Sequence, residues 1–280
     1  MSKVIAAVDD SPEALAVITT GDAVASLFGS TLAVAHVCEG KRDALPARLT
    51  SSGHEVRLLR GPVSSTIAQA AAEADVAAVV LGAGSSRPGT IVGSCAQQLI
   101  TSVRIPVVVV PARARAPARI RRILIPLDGT RAASDALRHA VELSAQPDVR
   151  FIALHVHTQT LVPMFSDQPH HEVRAWSAEF LRRQALPISA TSRLRLRVGQ
   201  AGDEVLSVAA QEGVDLIVLG WRQDLSAGRA GVVRSTILRA TVPVLLIPTQ
   251  RRARAQTPAA HAHGRAARAG PQSAARSGSR

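Results

Sequence analysis

The apolar residues of this chain fall into short continuous runs, and segments with helical spacing separate these runs. The first three strand-like runs are Val4–Val8, Thr31–Val37 and Glu55–Leu59. Two later runs, Val76–Leu81 and Pro106–Val110, contain no charged or hydrogen-bonding side chain. Continuous apolar runs are typical of parallel strands that helices cover on both faces. The alternation therefore predicts an α/β fold with a doubly wound parallel sheet.

The same order of runs and helices occurs a second time along the chain. An apolar run that ends in an acidic residue and a hydroxyl residue, Val4–Ser11, recurs as Ile123–Thr130. The predicted elements of the second copy are a helix at Arg131–Ser144 and strands at Arg122–Leu127, Arg150–His155, Leu194–Val198, Val214–Leu219 and Pro243–Ile247. The chain is therefore predicted to be a tandem duplication of one α/β unit.

Composition marks the limits of the two copies. Residues 112–119 are rich in Ala and Arg, which is typical of a linker, so the first copy is expected over 1–111 and the second over 120–248. Residues 249–280 contain Arg but no acidic residue. Such a segment buries too little apolar surface to fold, so we expect a disordered tail. Its charge favours nonspecific contact with anionic surfaces, and no specific nucleic-acid partner is expected.

Composition also argues against several classes of protein. The chain has no Tyr and few Phe or Trp, which disfavours nucleic-acid modules that stack bases on aromatic rings. No apolar run reaches the roughly 18 residues of a membrane span, and the N-terminus enters a strand pattern without a leader-like segment. We therefore expect a cytoplasmic protein without membrane contact. Cys38 and Cys95 fit reduced thiols better than a disulfide framework.

The histidines and hydroxyls of the chain predict neither a metal site nor catalysis. The histidines that lie close in sequence are His155, His157, His170 and His171. No acidic or cysteine partner is fixed near them by a metal-binding spacing. No arrangement of Ser, His and Asp or of paired carboxylates stands in a catalytic motif. The chain is expected not to be an enzyme.

Two segments of the first copy have features of a nucleotide site. At the end of the first strand, Asp9 can accept a hydrogen bond from an adenine amino group or a ribose hydroxyl while Ser11 caps the next helix with Pro12 at its first turn, or the whole element is only a helix start. Gly82–Thr90 is a glycine-rich loop after the fourth strand, and Gly93 and Ser94 open the next helix. Glycines let backbone amides approach phosphate oxygens, and a helix N-terminus adds free amides and the positive end of its dipole.

Together these motifs resemble the universal stress protein family over about Ser2–Pro111 and Ile120–Pro248. The likeness rests on a first strand that ends in acidic and hydroxyl residues and a second strand that ends in His-Val. A glycine loop with a later Gly-Ser follows the fourth strand, and the fifth strand is of the Pro-Val-Leu-Val type. The resemblance implies a Rossmann-like domain in each copy with strand order 3-2-1-4-5. In some members of the family this domain holds ATP.

The resemblance also implies which residues of the first copy would contact ATP. Adenine would lie near the first two strands, and the ribose and phosphates would lie along the glycine loop. The implied residues are Ala7, Asp9, Val37, Leu81, Gly82, Gly84, Gly93 and Ser94. The loop departs from the family pattern, because Ser85 stands in place of a second glycine and Gly84 in place of an Arg that often reaches phosphate.

The second copy departs further from the family pattern. After Gly220, Trp221 would crowd the phosphates and Asp224 would repel them, and Ala230–Gly231 replaces Gly-Ser. The residues that still match the adenine end are Pro126, Asp128, Val156 and Arg222. We expect a degenerate, nucleotide-free site in this copy.

The fifth strands predict how the copies associate. An apolar strand at the edge of a sheet needs a partner, and the resemblance implies that the fifth strands of two domains meet. Pro106–Val110 and Pro243–Ile247 are therefore expected to pair within the chain as a pseudo-dimer, and further association into homo-oligomers stays open.

The leading functional hypothesis is nucleotide-responsive stress adaptation, with ATP in the first copy. One alternative is a ligand-free scaffold that binds a protein partner through an insertion in the second copy, over about 157–184, which includes Met164, Phe165 and Trp176. A weaker alternative is an adenylyl-transferring enzyme, but no nucleophile accompanies the glycine loop.

Overall fold

The structure is a computed structural model that describes residues 1–38, 45–50, 53–84, 91–128, 130–157, 193–226 and 228–249. The part of the glycine loop at 85–90 and the tail beyond Thr249 lie outside these residues. So does nearly all of the predicted insertion in the second copy.

In the first copy, strands and helices alternate as the apolar runs predict. Its elements are β1 (Lys3–Val8), α1 (Ala14–Phe28), β2 (Thr31–Cys38), α2 (Ala47–Thr50), β3 (Val56–Arg60), α3 (Val63–Ala71), β4 (Val76–Gly82), α4 (Ser94–Ser102) and β5 (Val107–Val110). The short helix α2 has no counterpart among the predicted elements. Helix α3 ends at Ala71, with Ala72 as its C-cap.

The described elements of the second copy follow the same plan. They are β6 (Arg122–Pro126), α5 (Arg131–Leu143), β7 (Arg150–His157), β8 (Arg193–Val198), α6 (Ala201–Glu212), β9 (Leu216–Trp221), α7 (Gly231–Arg239) and β10 (Val244–Pro248). None of the helices in the described ranges is long and apolar enough to cross a membrane.

All of these strands join one ten-stranded sheet in the order β3-β2-β1-β4-β5-β10-β9-β6-β7-β8. Each copy therefore has the order 3-2-1-4-5, and the strands within each copy pair in parallel. Parallel neighbours need a crossover connection, and described helices such as α1 between β1 and β2 supply it. The predicted doubly wound fold in tandem is confirmed.

The two copies meet at an antiparallel seam between β5 and β10. Val108 lies opposite Leu245, and Val109 lies opposite Val244. These four side chains are almost fully buried. The predicted pairing of the two fifth strands is confirmed, since each apolar edge is covered by the other and neither stays open to a foreign strand.

The hydrophobic core lies on both faces of the sheet and continues across the seam. Helices α1 and α5 cover one face, where Val4 and Val108 of the first copy belong to the same buried cluster as Leu245 of the second. Helices α3, α4, α6 and α7 cover the other face. Most of the buried side chains are aliphatic, as the scarcity of aromatic residues requires.

Candidate functional site

The two copies build the same acidic turn after their first strands. Asp9 Oδ1 accepts a hydrogen bond from the Ser11 amide at 3.0 Å. Asp128 Oδ1 accepts one from the Thr130 amide at 2.9 Å and one from the Thr130 hydroxyl at 2.6 Å. Both carboxylates are exposed at the carboxyl edge of the sheet. Such a turn fixes the direction of a short acidic side chain, so each carboxylate is presented in a defined orientation.

The predicted cap of the first helix is wrong. Helix α1 begins at Ala14, its N-cap is Glu13, and no side chain caps it. The Ser11 carbonyl accepts a hydrogen bond from the Ala14 amide at 3.2 Å, so a turn precedes the helix. In the second copy, Thr130 does cap α5, because its hydroxyl accepts a hydrogen bond from the Ala133 amide at 3.3 Å.

The histidine near the end of the second strand of each copy donates a hydrogen bond to the backbone at the end of the first strand. His36 Nδ1 donates to the Val8 carbonyl at 2.9 Å, and His155 Nδ1 donates to the Leu127 carbonyl at 2.7 Å. The His-Val motif therefore has a structural role in both copies. Burial lowers the pKa of His157 below its ordinary value, and the neighbouring His155 ring, with centroids 4.5 Å apart, lowers it further.

No metal centre emerges from these side chains within the described ranges, where no group of three or more His, Cys, Asp or Glu residues could hold an ion. His170 and His171 lie outside these ranges. The expected absence of a metal stays a prediction.

The predicted adenine end of the first copy spreads over three neighbouring strands. Ala7 on β1 lies opposite Leu81 on β4, and Val37 lies on β2, on the other side of β1. The Leu81 side chain is buried, so any ligand would meet its backbone rather than its side chain. Asp9 follows β1 directly and shares this edge of the sheet.

The predicted phosphate end is a close set of backbone groups. The Gly93 amide donates to the Ala83 carbonyl at 2.8 Å and so fixes the start of α4 beside the end of β4. Gly84 has a φ of +69°, which favours glycine, and a Cβ there would lie 3.6 Å from the Gly93 Cα. The structure thus brings Gly82, Gly84 and Gly93 together, and Ser94 is exposed as the first residue of α4.

Helix α4 presents an uncompensated N-terminus to this edge. Its N-cap is Gly93, which has no side chain to cap the helix, and its first turn contains no acidic residue. The first amides of a helix lack partners within the helix and carry the positive end of its dipole. Among the described residues at this end, 82–84 and 91–94, none carries a carboxylate. The arrangement is therefore suited to an anionic group.

The second copy holds a cavity of about 400 Å³ at the corresponding edge of the sheet. The turn after β6, the loop after β9, the start of α7 and the residue after β10 form its walls. Its lining residues include Asp128, Thr130, Trp221, Arg222, Asp224, Arg229, Gly231 and Thr249. Sequence reasoning anticipated Asp128 and Arg222 at this place but missed Arg229 and Thr249, which belong to no recognised motif.

Trp221 lines this cavity without filling it. It is the last residue of β9, it is 4% exposed, and it belongs to the buried cluster beneath α4 and α7. Its carbonyl accepts hydrogen bonds from the Thr249 amide at 2.8 Å and the Thr249 hydroxyl at 2.9 Å. The indole therefore serves as part of the wall. Asp224 also lines the space, and its Oδ1 accepts a hydrogen bond from the Ser226 amide at 3.0 Å.

Comparisons with known proteins agree with this architecture. The model of the universal stress protein family matches residues 41–111 and 119–248. The universal stress protein from Archaeoglobus fulgidus DSM 4304 superposes with a TM-score of 0.60 at 14% identity, covering 88% of this chain and 96% of its own. A putative universal stress protein from Pseudomonas aeruginosa UCBPP-PA14 gives a TM-score of 0.62 at 15% identity, with coverages of 89% and 94%. At these identities the likeness concerns the fold alone. No curated protein matches the chain.

Proposed function

The chain belongs to the universal stress protein family, and we propose that it is a cytoplasmic, nucleotide-responsive stress-adaptation protein that binds ATP in its first copy without catalysing a reaction. The observation that carries the proposal is the backbone set at Gly82, Gly84 and Gly93 beside the uncapped start of α4. Backbone amides at a helix N-terminus suit phosphate oxygens. Asp9, held in its turn on the adjacent strand end, would accept a hydrogen bond from the adenosine portion.

The two copies differ in the charged side chains at their candidate ATP sites. In the second copy, two carboxylates and two guanidinium groups line the cavity, so their formal charges cancel. Asp224 lies in the loop that corresponds to the phosphate end, and like charges at close range repel. The described residues of the phosphate end in the first copy include no carboxylate. Asp9 and Asp128 place one carboxylate at the adenine end of each copy, so only the phosphate end, with Asp224 in the second copy and no described carboxylate in the first, favours a triphosphate in the first copy.

The test compares two glycines at the starts of the corresponding helices of the two copies, one position apart in the repeat. Gly93 is the N-cap of α4, and Gly231 is the first residue of α7. Gly93→Val places a side chain in the path of the phosphates, so we expect at least about a tenfold loss of ATP affinity, which is roughly 1.4 kcal/mol. A Cβ at Gly231 would meet open space, so Gly231→Val should retain binding. Isothermal titration of both full-length variants measures this difference.

The reverse dependence, or two equal sites in the unmodified protein, would contradict the assignment to the first copy. If the purified protein carries no adenine nucleotide and binds none, the scaffold alternative is favoured instead. The insertion on which that alternative depends lies almost entirely outside the described residues. No described contact therefore supports it.

A further inference from the structure

Two glutamines of the second copy contact the C-terminal ends of two helices in the first copy. Gln223 Nε2 donates to the Val103 carbonyl at 2.6 Å and to the Ile100 carbonyl at 3.3 Å, at the end of α4. Gln146 Nε2 donates to the Ser26 carbonyl at 2.9 Å and to the Ser26 hydroxyl at 2.8 Å, near the end of α1. These are the helices whose N-termini follow Asp9 and Gly93. The second copy therefore donates hydrogen bonds to the C-terminal ends of both helices whose N-termini face the proposed ATP site.

Gln223 adopts an uncommon backbone conformation to make its contact. Its φ is +56°, in the left-handed region that non-glycine residues seldom occupy. The last carbonyls of a helix have no partner within the helix, and the side-chain amide of Gln223 supplies donors to this end of α4. A glycine would tolerate the same backbone but would leave these carbonyls without that donor. The side chain, rather than the turn, explains why Gln stands here.

The loop that carries Gln223 also forms a wall of the cavity in the second copy. Arg222 and Asp224, on either side of Gln223, both line that cavity. One short segment thus contacts the cavity of the second copy and the end of α4 in the first copy. A displacement of this loop would therefore shift or break the hydrogen bonds of Gln223 to the C-terminal end of α4.

We propose that Gln223 is a positioning residue that fixes the N-terminal turn of α4, so that the second copy sets the ATP affinity of the first. The consequence for affinity rests on the proposed function. Helix α4 has nine residues and is therefore roughly 13 Å long, and close-packed helices transmit displacement along their axis. By linkage, ATP bound at the start of α4 would in turn stabilise the loop of the second copy.

The experiment uses a matched pair of glutamines in the full-length protein. Gln223→Glu replaces the amide donor with a carboxylate that faces two carbonyl oxygens. Gln211→Glu makes the same change on the exposed side of α6, where the side-chain oxygen already accepts a hydrogen bond from Arg197. Gln223→Gly is a second variant, because glycine suits the left-handed backbone and only the side chain is lost.

Two readouts are measured for each variant. The first is the alkylation rate of Cys95 by iodoacetamide, located by peptide mass spectrometry. Cys95 lies in the first turn of α4 and is partly exposed, whereas Cys38 is buried. The second is the ATP affinity by isothermal titration. For both Gln223 variants we expect at least a threefold faster alkylation of Cys95 and at least a fivefold weaker ATP affinity, with neither changed in Gln211→Glu.

The outcomes separate this inference from the proposed function. Unmodified protein that fails to bind ATP contradicts the proposed function, and the alkylation of Cys95 still decides whether Gln223 positions α4. If ATP binds but both Gln223 variants match the unmodified protein in both readouts, the inference is overturned. Equal effects of Gln223→Glu and Gln211→Glu would also overturn it, because they would reflect added charge alone.

Discussion

At the scale of single residues, the two copies share their acidic turn and differ in how their loops use the backbone. Asp9 and Asp128 close the same turn by the same bond. Gln223 and Ala230 are the non-glycine residues with positive φ within the described ranges. Both flank the cavity in the second copy, so the departures of this copy from the family pattern are accompanied by backbone strain.

Replacing Ala230 with glycine should stabilise the protein. Ala230 has a φ of +50° at the N-cap of α7, a conformation that costs a residue with a Cβ roughly 1 kcal/mol. We expect Ala230→Gly to raise the free energy of unfolding by up to about 1 kcal/mol, which is a Tm increase of about 2–4 °C for a chain of this size. The same strain means that a valine at Ala230 is not a neutral control for ligand binding.

Ala210→Gly is the matched control, because Ala210 is exposed within α6. There the same substitution should lower stability by about 0.5–1 kcal/mol. Thermal unfolding of both variants measures the two effects. Destabilisation by Ala230→Gly of the same size as by Ala210→Gly would show that the left-handed backbone is not strained.

At the scale of elements, the bounds of the strands were predicted from the sequence more accurately than those of the helices. The runs at Val76–Leu81 and Pro106–Val110 match β4 and β5 closely, because buried parallel strands are apolar along their whole length. Helix α2 escaped prediction because it spans only Ala47–Thr50, too short for a periodic pattern. The start of α1 was misplaced because a turn between Ser11 and Ala14 looks like a capped helix start in the sequence.

A lysine in the seam between β5 and β10 should lower the free energy of unfolding far more than a lysine on the edge strand β8. Val108 is 0% exposed opposite Leu245, whereas Val198 on the edge strand β8 is 52% exposed. We expect Val108→Lys to lower the free energy of unfolding by about 3 kcal/mol or more, because an unpaired ammonium is buried. Val198→Lys should change it by about 0.5 kcal/mol or less. Urea unfolding of the full chain measures both.

Val108→Ala provides a milder variant if the lysine variant does not accumulate as folded protein, with an expected loss of about 2 kcal/mol. Equal stability of Val108→Lys and Val198→Lys would mean that water reaches β5. In that case the paired seam would be wrong.

At the scale of the whole molecule, the duplication yields one continuous ten-stranded sheet whose two copies differ at their carboxyl edges. The repeated apolar runs predict the strands of this sheet, whereas their order and the meeting of the fifth strands were implied by the family resemblance. The sequence could not predict that Gln223 reaches α4, because the two lie more than a hundred residues apart and the contact exists only once the seam has formed. It also could not show that Trp221 packs into the core and leaves a cavity, since burial depends on the neighbouring helices.

These unlike edges suggest a division of roles between the copies. In the first copy, the helix that follows β4 has no acidic residue in its first turn. The second presents a charge-balanced cavity and holds the helices of the first from behind.

The most direct test of this account is the number of ATP molecules bound by each full-length chain, measured by native mass spectrometry during titration with ATP. We expect one ATP per chain, lost in Gly93→Val and retained in Gly231→Val. Two ATP molecules per chain, or one that is lost in Gly231→Val instead, would contradict it.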